Sequence, residues 1–188
     1  MLTIAWLICG VYATIPTYWL AVHPVAHRWR KAKRKFSLLA PWWMLLWVVA
    51  WLISSPWRYD ALYRSPWLWG LSAALWSVSA CMYTSGGRGL SLPRVIGKVE
   101  LEPDRHEHRL VTTGVHARVR HPLYFGHLCT MLGWSIGAGT TACWALTGFY
   151  LATAAIMIPL EERELRSRFG REYEEYARRV PAFLPRLF

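Results

Sequence analysis

Five stretches of this chain, each close to twenty residues long, carry no charged side chain, and no other feature constrains the fold as much. They are Leu2–Val22, Leu38–Ile53, Pro66–Tyr83, Tyr124–Gly139 and Thr141–Leu160. A bilayer core about 30 Å thick is crossed by about 20 apolar residues in a helix. Hydrocarbon offers no partner to a backbone N–H or C=O, so such spans must be helical. A soluble domain of 188 residues cannot bury five runs of this kind, and with 54% hydrophobic residues disorder is excluded too.

Charge placement orients the spans. Lys and Arg number 22 against 11 Asp and Glu, a formal net charge of +11. A basic excess can mark nucleic acid or membrane, but here the charges lie between apolar runs and speak for membrane topology without nucleic acid. Twenty of the 22 fall in the first connection, in the segment 84–121 and in the tail; only Arg58 and Arg64 lie on the other side. The positive-inside rule puts the twenty in the cytoplasm. The N-terminus is then outside and the C-terminus inside, as five spans require. The start, MLTIAWLICG, lacks the basic region of a cleavable signal, so the first span is expected to stay. Cys9, Cys81, Cys129 and Cys143 lie in or beside spans without metal-type spacing and read as apolar filler.

Two cytoplasmic segments exceed mere connectors. The first, 84–121, opens on SGGRGLSLPR and continues as mostly irregular chain. In the tail, Leu165, Phe169, Tyr173, Tyr176 and Val180 recur on one helical face. Glu162–Arg166, Glu164–Arg168, Glu174–Arg178 and Glu175–Arg179 are favourable i,i+4 pairs. Gly170 costs this helix about 1 kcal/mol relative to Ala, which predicts a close approach there; Pro181 and Pro185 end the helix. The helix either lies on anionic lipid or packs as a lid beneath the bundle.

Three sets of residues are candidates for chemistry. The histidines His106, His108, His116, His121 and His127, with the HxxxH pair His23 and His27, suggest a metal, but paired boxes and neighbouring carboxylates are missing, so no metal is expected. In Arg120-His121-Pro122-Leu123-Tyr124-Phe125-Gly126, proline suits the first turn of a helix, whose positive end faces the cytoplasm and favours an anionic group. Gly126 leaves room for a close approach. The same residues also fit an ordinary helix start with an arginine at phosphates. Glu161 and Glu162 stand at the cytoplasmic end of the fifth span, where carboxylates are costly unless paired or functional.

In order and spacing, HRLVTTGVHARVRHPLYFG, then one pair of spans, then EERELRSRFGREYEEYARRVP resembles the isoprenylcysteine carboxyl methyltransferases and the wider group of small membrane methyltransferases that includes phospholipid N-methyltransferases. The resemblance covers about 108–181. It implies an all-α, multi-pass bundle of five transmembrane helices, a single domain over 1–188, in which the C-terminal helix and the preceding loop, about 106–181, form a pocket for S-adenosylmethionine (SAM). It implies that His108, Arg109, Leu110, Val111 and Gly114 line the cofactor, with His116 where the family often has Tyr. His121, Pro122, Leu123 and Tyr124 would form a second wall, and Glu161, beside Glu162, would meet the polar part of SAM. Arg120, His116 and Glu162 are the catalytic candidates. The implied partners are membrane lipids and a lipophilic small molecule or lipidated substrate, methylated at the cytoplasmic face of a prokaryotic inner membrane. Eukaryotic prenylcysteine enzymes carry an Arg one turn before the first Glu. Met157 stands there and cannot pair a carboxylate, so poor turnover of prenylcysteine carboxylates is expected; an Arg at 157 is expected to snorkel and fold. The alternatives are an NADPH-dependent membrane reductase resembling sterol reductases and a non-catalytic membrane assembly protein.

Overall fold

A computed structural model describes residues 1–32, 35–87 and 109–184. Among these the regular structure is helical, apart from one isolated antiparallel bridge between Ala61 and Thr140. The elements are α1 (Leu2–Val22), a 3-10 turn (His23–Val25), α2 (Ala26–Lys31), α3 (Lys35–Ser54), α4 (Leu68–Gly87), a second 3-10 turn (Gly114–Ala117), α5 (Pro122–Ala138), α6 (Thr141–Phe169) and α7 (Arg171–Arg179). Two continuous stretches, Leu2–Lys31 and Thr141–Phe169, are long and apolar enough to cross a membrane; Leu39–Ser54 is a shorter apolar helix.

Four of the expected spans coincide with a helix to within a few residues, and the fifth begins as expected at Thr141 but continues to Phe169. The helices are nearly uniform in hydrophobicity around their circumference, so packing cannot follow a single apolar stripe. It follows small residues instead. Along α5 a Cβ at Gly133 would lie 2.5 Å from Trp76 Nε1, and one at Gly137 would lie 2.6 Å from the Trp69 ring. Ser72 Oγ donates to Gly133 O at 2.7 Å and Ser79 Oγ to Gly126 O at 2.8 Å. Thus α4 lies closely along α5, and these hydroxyls find partners inside the bundle. The anticipated approach at Gly126 is made by Tyr83 and Met82 of α4. On the other side α1 lies along α6, with Ala5, Cys9, Ala13, Met131, Cys143, Tyr150 and Ala154 in one core. Large apolar side chains point outward, among them Met44, Leu52 and Ile53 of α3, the inverse of a water-soluble surface.

The far end of the bundle, away from α7, is tied by backbone. Leu62 N donates to Gly139 O at 2.8 Å and Thr141 N to Asp60 O at 2.9 Å. Arg58, only 4% exposed, lies over Trp51 at 3.5 Å and Trp6 at 4.2 Å, and donates to Trp51 O at 2.8 Å.

Two expectations about the last helix are corrected. First, α6 runs without a break through Pro159 and the two glutamates to Phe169, and the chain turns at Gly170 with φ +52° before α7 begins. A Cβ at Gly170 would meet nothing within 4 Å, so the glycine serves backbone conformation and not a close approach. Second, Met157 is fully buried. An arginine there would have to enter the packed interior and could not snorkel along the surface.

Candidate active site

The segment before α5 and the end of α6 meet at one charged centre. Arg120 Nε donates to Glu162 Oε1 at 2.8 Å, and its Nη2 pairs with the same oxygen. Arg120 Nη1 donates to Ala177 O at 2.9 Å and to Val180 O. His121 Nε2 lies 3.3 Å from Glu162 Oε1, and Arg166 Nη2 lies 3.4 Å from Glu162 Oε2. Local sequence supplies one side of this centre. Pro122 begins α5, which leaves Arg120 and His121 just outside it; their amides donate to Pro181 O at 2.9 Å and Ala182 O at 3.0 Å. The chain after α7 is therefore laced to the chain before α5, with the guanidinium of Arg120 filling the junction.

Burial alone would push the Glu162 carboxyl up. The hydrogen bonds from His121 and Arg120 and the Arg120 charge outweigh it and hold the group at about 2. Glu161 differs. Its Oε2 is buried with no hydrogen-bond partner among the described residues, and His121 Nδ1 lies 3.8 Å from it. Tyr173 Oη is likewise buried without a hydrogen-bond partner among the described residues, and burial raises its pKa. A buried polar atom left unpaired costs on the order of 1–3 kcal/mol. Two of them beside a neutralised ion pair mark where a polar ligand would be accommodated.

Beneath this centre Tyr173, Tyr176 and Val180 form a cluster with Leu110, Leu165, Phe169 and Ala177. The apolar face read from the tail therefore packs against the protein, and not flat on lipid, even though Gly170 interrupts the helix. Tyr176 Oη donates to His116 O at 2.6 Å, and burial pushes its hydroxyl up to about 12. Of the i,i+4 pairs, Glu162–Arg166 and Glu164–Arg168 form, the latter at 4.0 Å. Arg178 and Arg179 instead donate to the carbonyls of Glu174 and Glu175, while Glu175 pairs with Arg171 at 3.1 Å.

The structure thus gathers Leu110, His116, His121, Tyr124, Glu161 and Glu162 around one centre. Tyr124 lies with its ring 5.8 Å from His121. Gly114 opens the 3-10 turn that carries His116, and Val111 is half-buried just before it. Pro122 and Leu123 face Gly86 of α4, and Arg109 is exposed. His108 and His106 lie outside the described residues. Arg120, a catalytic candidate by sequence, spends its donors on Glu162 and two carbonyls, which makes it the strut of the site.

Sequence reasoning missed a second charged junction. His23 Nδ1 lies 2.6 Å from Glu164 Oε2, and Arg30 Nη2 donates to Glu164 Oε1 at 2.5 Å. The HxxxH pair is thereby split, since His23 is buried on Glu164 and His27 is exposed. Among the described residues no three His, Cys, Asp or Glu side chains gather as a metal site. The signal available was the alternation of Glu162 and Glu164, which face different neighbours across the helix.

Comparison with known proteins follows the same geography. Residues 74–172, just over half of the chain, match the family model described as phospholipid methyltransferase. Protein-S-isoprenylcysteine O-methyltransferase B of Arabidopsis thaliana is 38% identical over 92 residues, covering 46% of this chain and 44% of that protein. The cobalt-zinc-cadmium resistance protein CzcN of Cupriavidus metallidurans is 40% identical over 117 residues, 58% of this chain and 52% of that protein. Methanethiol S-methyltransferase 2 of Bradyrhizobium diazoefficiens is 39% identical over 70 residues, 37% of this chain and 26% of that protein. The chain spans about half the length of the curated relatives it matches first. No solved structure matches it.

Proposed function

Because this chain belongs to the phospholipid methyltransferase family, we propose that it is a membrane methyltransferase that takes its methyl group from SAM and passes it to a lipophilic acceptor. Its five apolar helices would cross the bilayer with the Arg120–Glu162 centre at the cytoplasmic face. The outward apolar side chains of α3 and the one-sided distribution of basic residues support that placement.

The observation that carries the reading is the contrast between the two adjacent glutamates. Glu162 is saturated by Arg120, His121 and Arg166. Glu161 keeps a buried oxygen without a hydrogen bond among the described residues. A carboxylate in that state suits the ammonium of an amino-acid moiety, and the adjacent aromatic Tyr124 and the half-buried Leu110 and Val111 suit a flat heterocycle. When bound, SAM supplies a methyl carbon on a sulfonium. The chain's own part is positioning, the larger share of an in-line displacement. Glu161 holds the cationic end, Arg120 fixes Glu162 and the carbonyls at the end of α7, and α7 closes the site from below. The relatives named for isoprenylcysteine and methanethiol methylation both act on sulfur-bearing compounds, and for this chain a lipophilic acceptor entering between helices is the consistent choice.

Titration of the purified protein with SAM tests this, with NADPH as the control for a reductase. Glu161→Gln is expected to weaken SAM binding by about 1.5–3 kcal/mol, the range for a hydrogen bond to a charged group. Unchanged affinity in the variant, or binding of NADPH and not SAM, refutes the reading.

A further inference from the structure

Deeper in the bundle lies a histidine that the site described above does not use. His127 stands five residues into α5 from Pro122, about 7.5 Å farther along the axis at 1.5 Å per residue. Four tyrosines from four helices surround its ring. Centroid distances are 4.9 Å to Tyr12 of α1, 5.7 Å to Tyr83 of α4, 5.8 Å to Tyr124 of α5 and 6.3 Å to Tyr150 of α6. Its Nδ1 is buried with no hydrogen-bond partner among the described residues, while the residue as a whole is only half-buried. The open edge of the ring is therefore the one that carries Nε2. Tyr124 touches both His127 and His121, so this cluster continues the charged centre toward the hydrocarbon.

Two of these hydroxyls are already engaged. Tyr150 Oη donates to Tyr124 O at 2.7 Å, and Tyr83 Oη lies 3.4 Å from Thr130 Oγ1. Polar groups at such depth are costly and mark function when they are not spent on structure. His127 is the group here that structure leaves unspent.

We infer that His127 receives the proton of the methyl acceptor, and that the acceptor is a neutral, apolar thiol. The inference rests on the methyltransferase reading above. With its hydrogen on the buried Nδ1, the imidazole presents the Nε2 lone pair at its open edge. As the acceptor sulfur bonds to the methyl carbon, the bond from that carbon to the sulfonium breaks. Its electron pair stays on the departing thioether, and the acceptor's S–H proton passes to Nε2. A carboxylate acceptor has no proton to lose, and its charge would be costly in a cluster of aromatic rings within the bundle. As the sulfur takes on the methyl group its S–H becomes strongly acidic, so a desolvated imidazole can accept the proton; among apolar protic acceptors a thiol, ordinarily near 8.5, is also the most acidic to begin with.

The test uses the full-length protein in detergent with 1-octanethiol as acceptor and labelled SAM as donor. The parent should methylate the thiol. His127→Phe, which keeps a ring in the cluster, should lower kcat by about 10²-fold or more, the scale of general-base catalysis, with SAM affinity unchanged. His127→Ala should lose the same activity and regain part of it with added imidazole, which a packing role would not allow. A second readout needs no turnover: nitrogen NMR of histidine-labelled protein should show the His127 ring signal shift on adding octanethiol alone. Thiol methylation by His127→Phe at the parental rate overturns the inference. So does a parent that binds SAM yet leaves octanethiol unmethylated. Failure of the parent to bind SAM overturns instead the reading beneath it.

Discussion

Two arginines are drawn into this fold at its opposite ends, and each solves the problem of burial differently. Arg120 meets a carboxylate and two carbonyls. Arg58 meets two indole faces and one carbonyl. The first arrangement holds net opposite charge in a confined space and can exchange partners with a polar ligand. The second has no counter-ion among its contacts and can only hold. The contrast separates a working end from a stapled end.

The largest effect should come from breaking the first. Arg120→Ala leaves Glu162 buried beside one histidine and the half-exposed Arg166, and also frees the carbonyls of Ala177 and Val180. Removing one member of a buried pair costs about 3–5 kcal/mol. Thermal unfolding in detergent should show that loss, and limited proteolysis should cut near α7. A small loss, with α7 still protected, would mean that the lacing of residues 120–121 to 181–182 holds the tail without the guanidinium. The same centre should titrate. Glu162 is held at about 2 against an ordinary 4.5, so its contribution is complete above 4.5 and is lost as pH falls from there toward 2. Acid unfolding of Glu162→Gln should be flatter than that of the parent over this window.

Arg58→Ala comes next. A desolvated cation over an indole contributes about 2 kcal/mol and a hydrogen bond about 1, so about 2–3 kcal/mol of stability should go. SAM affinity should stay as it is. A fall in SAM affinity would show the two ends to be coupled, and the division into working and stapled ends would fail.

How much of this was legible in the sequence depends on how far each contact reaches. The helices were, because long apolar runs without charge satisfy their backbone polar groups best within a helix. So were the residues of the charged centre, because Arg120-His121-Pro122 and Glu161-Glu162 each lie at a helix end. Their division of labour was not, since it depends on which rotation of α6 turns Glu162 toward Arg120 and leaves Glu161 with an unpaired oxygen. Arg58 gave no signal beyond being one of two basic residues on its side, because its partners, Trp6 and Trp51, are ordinary span residues until folding brings them together. The expectation that an Arg at 157 snorkels fails on the burial of Met157, because a helix with apolar residues all round does not reveal in its sequence which face packs.

The smallest effects separate the two ends once more, through two glycines that both adopt positive φ. Gly139 closes the stapled end with φ +60° and ψ +28°, a left-handed conformation that asparagine tolerates. However, a Cβ there would lie 2.4 Å from Tyr63 O, a backbone atom held by the Leu62–Gly139 pairing. Gly139→Ala should thus cost about 2–3 kcal/mol, strain and overpacking together, and Gly139→Asn should recover little of it. Gly170 turns the working end with φ +52° and ψ −127°, where a Cβ would meet nothing within 4 Å. Gly170→Ala should cost only conformational strain, about 1–2 kcal/mol. That cost should fall on the angle between α6 and α7 and show as easier proteolysis near α7 more than as lower thermal stability of the bundle. If Gly170→Ala instead lowers the melting temperature as much as Gly139→Ala, α7 is as integral to the bundle as the far turn, and the site beneath Glu161 is not closed by a separable element.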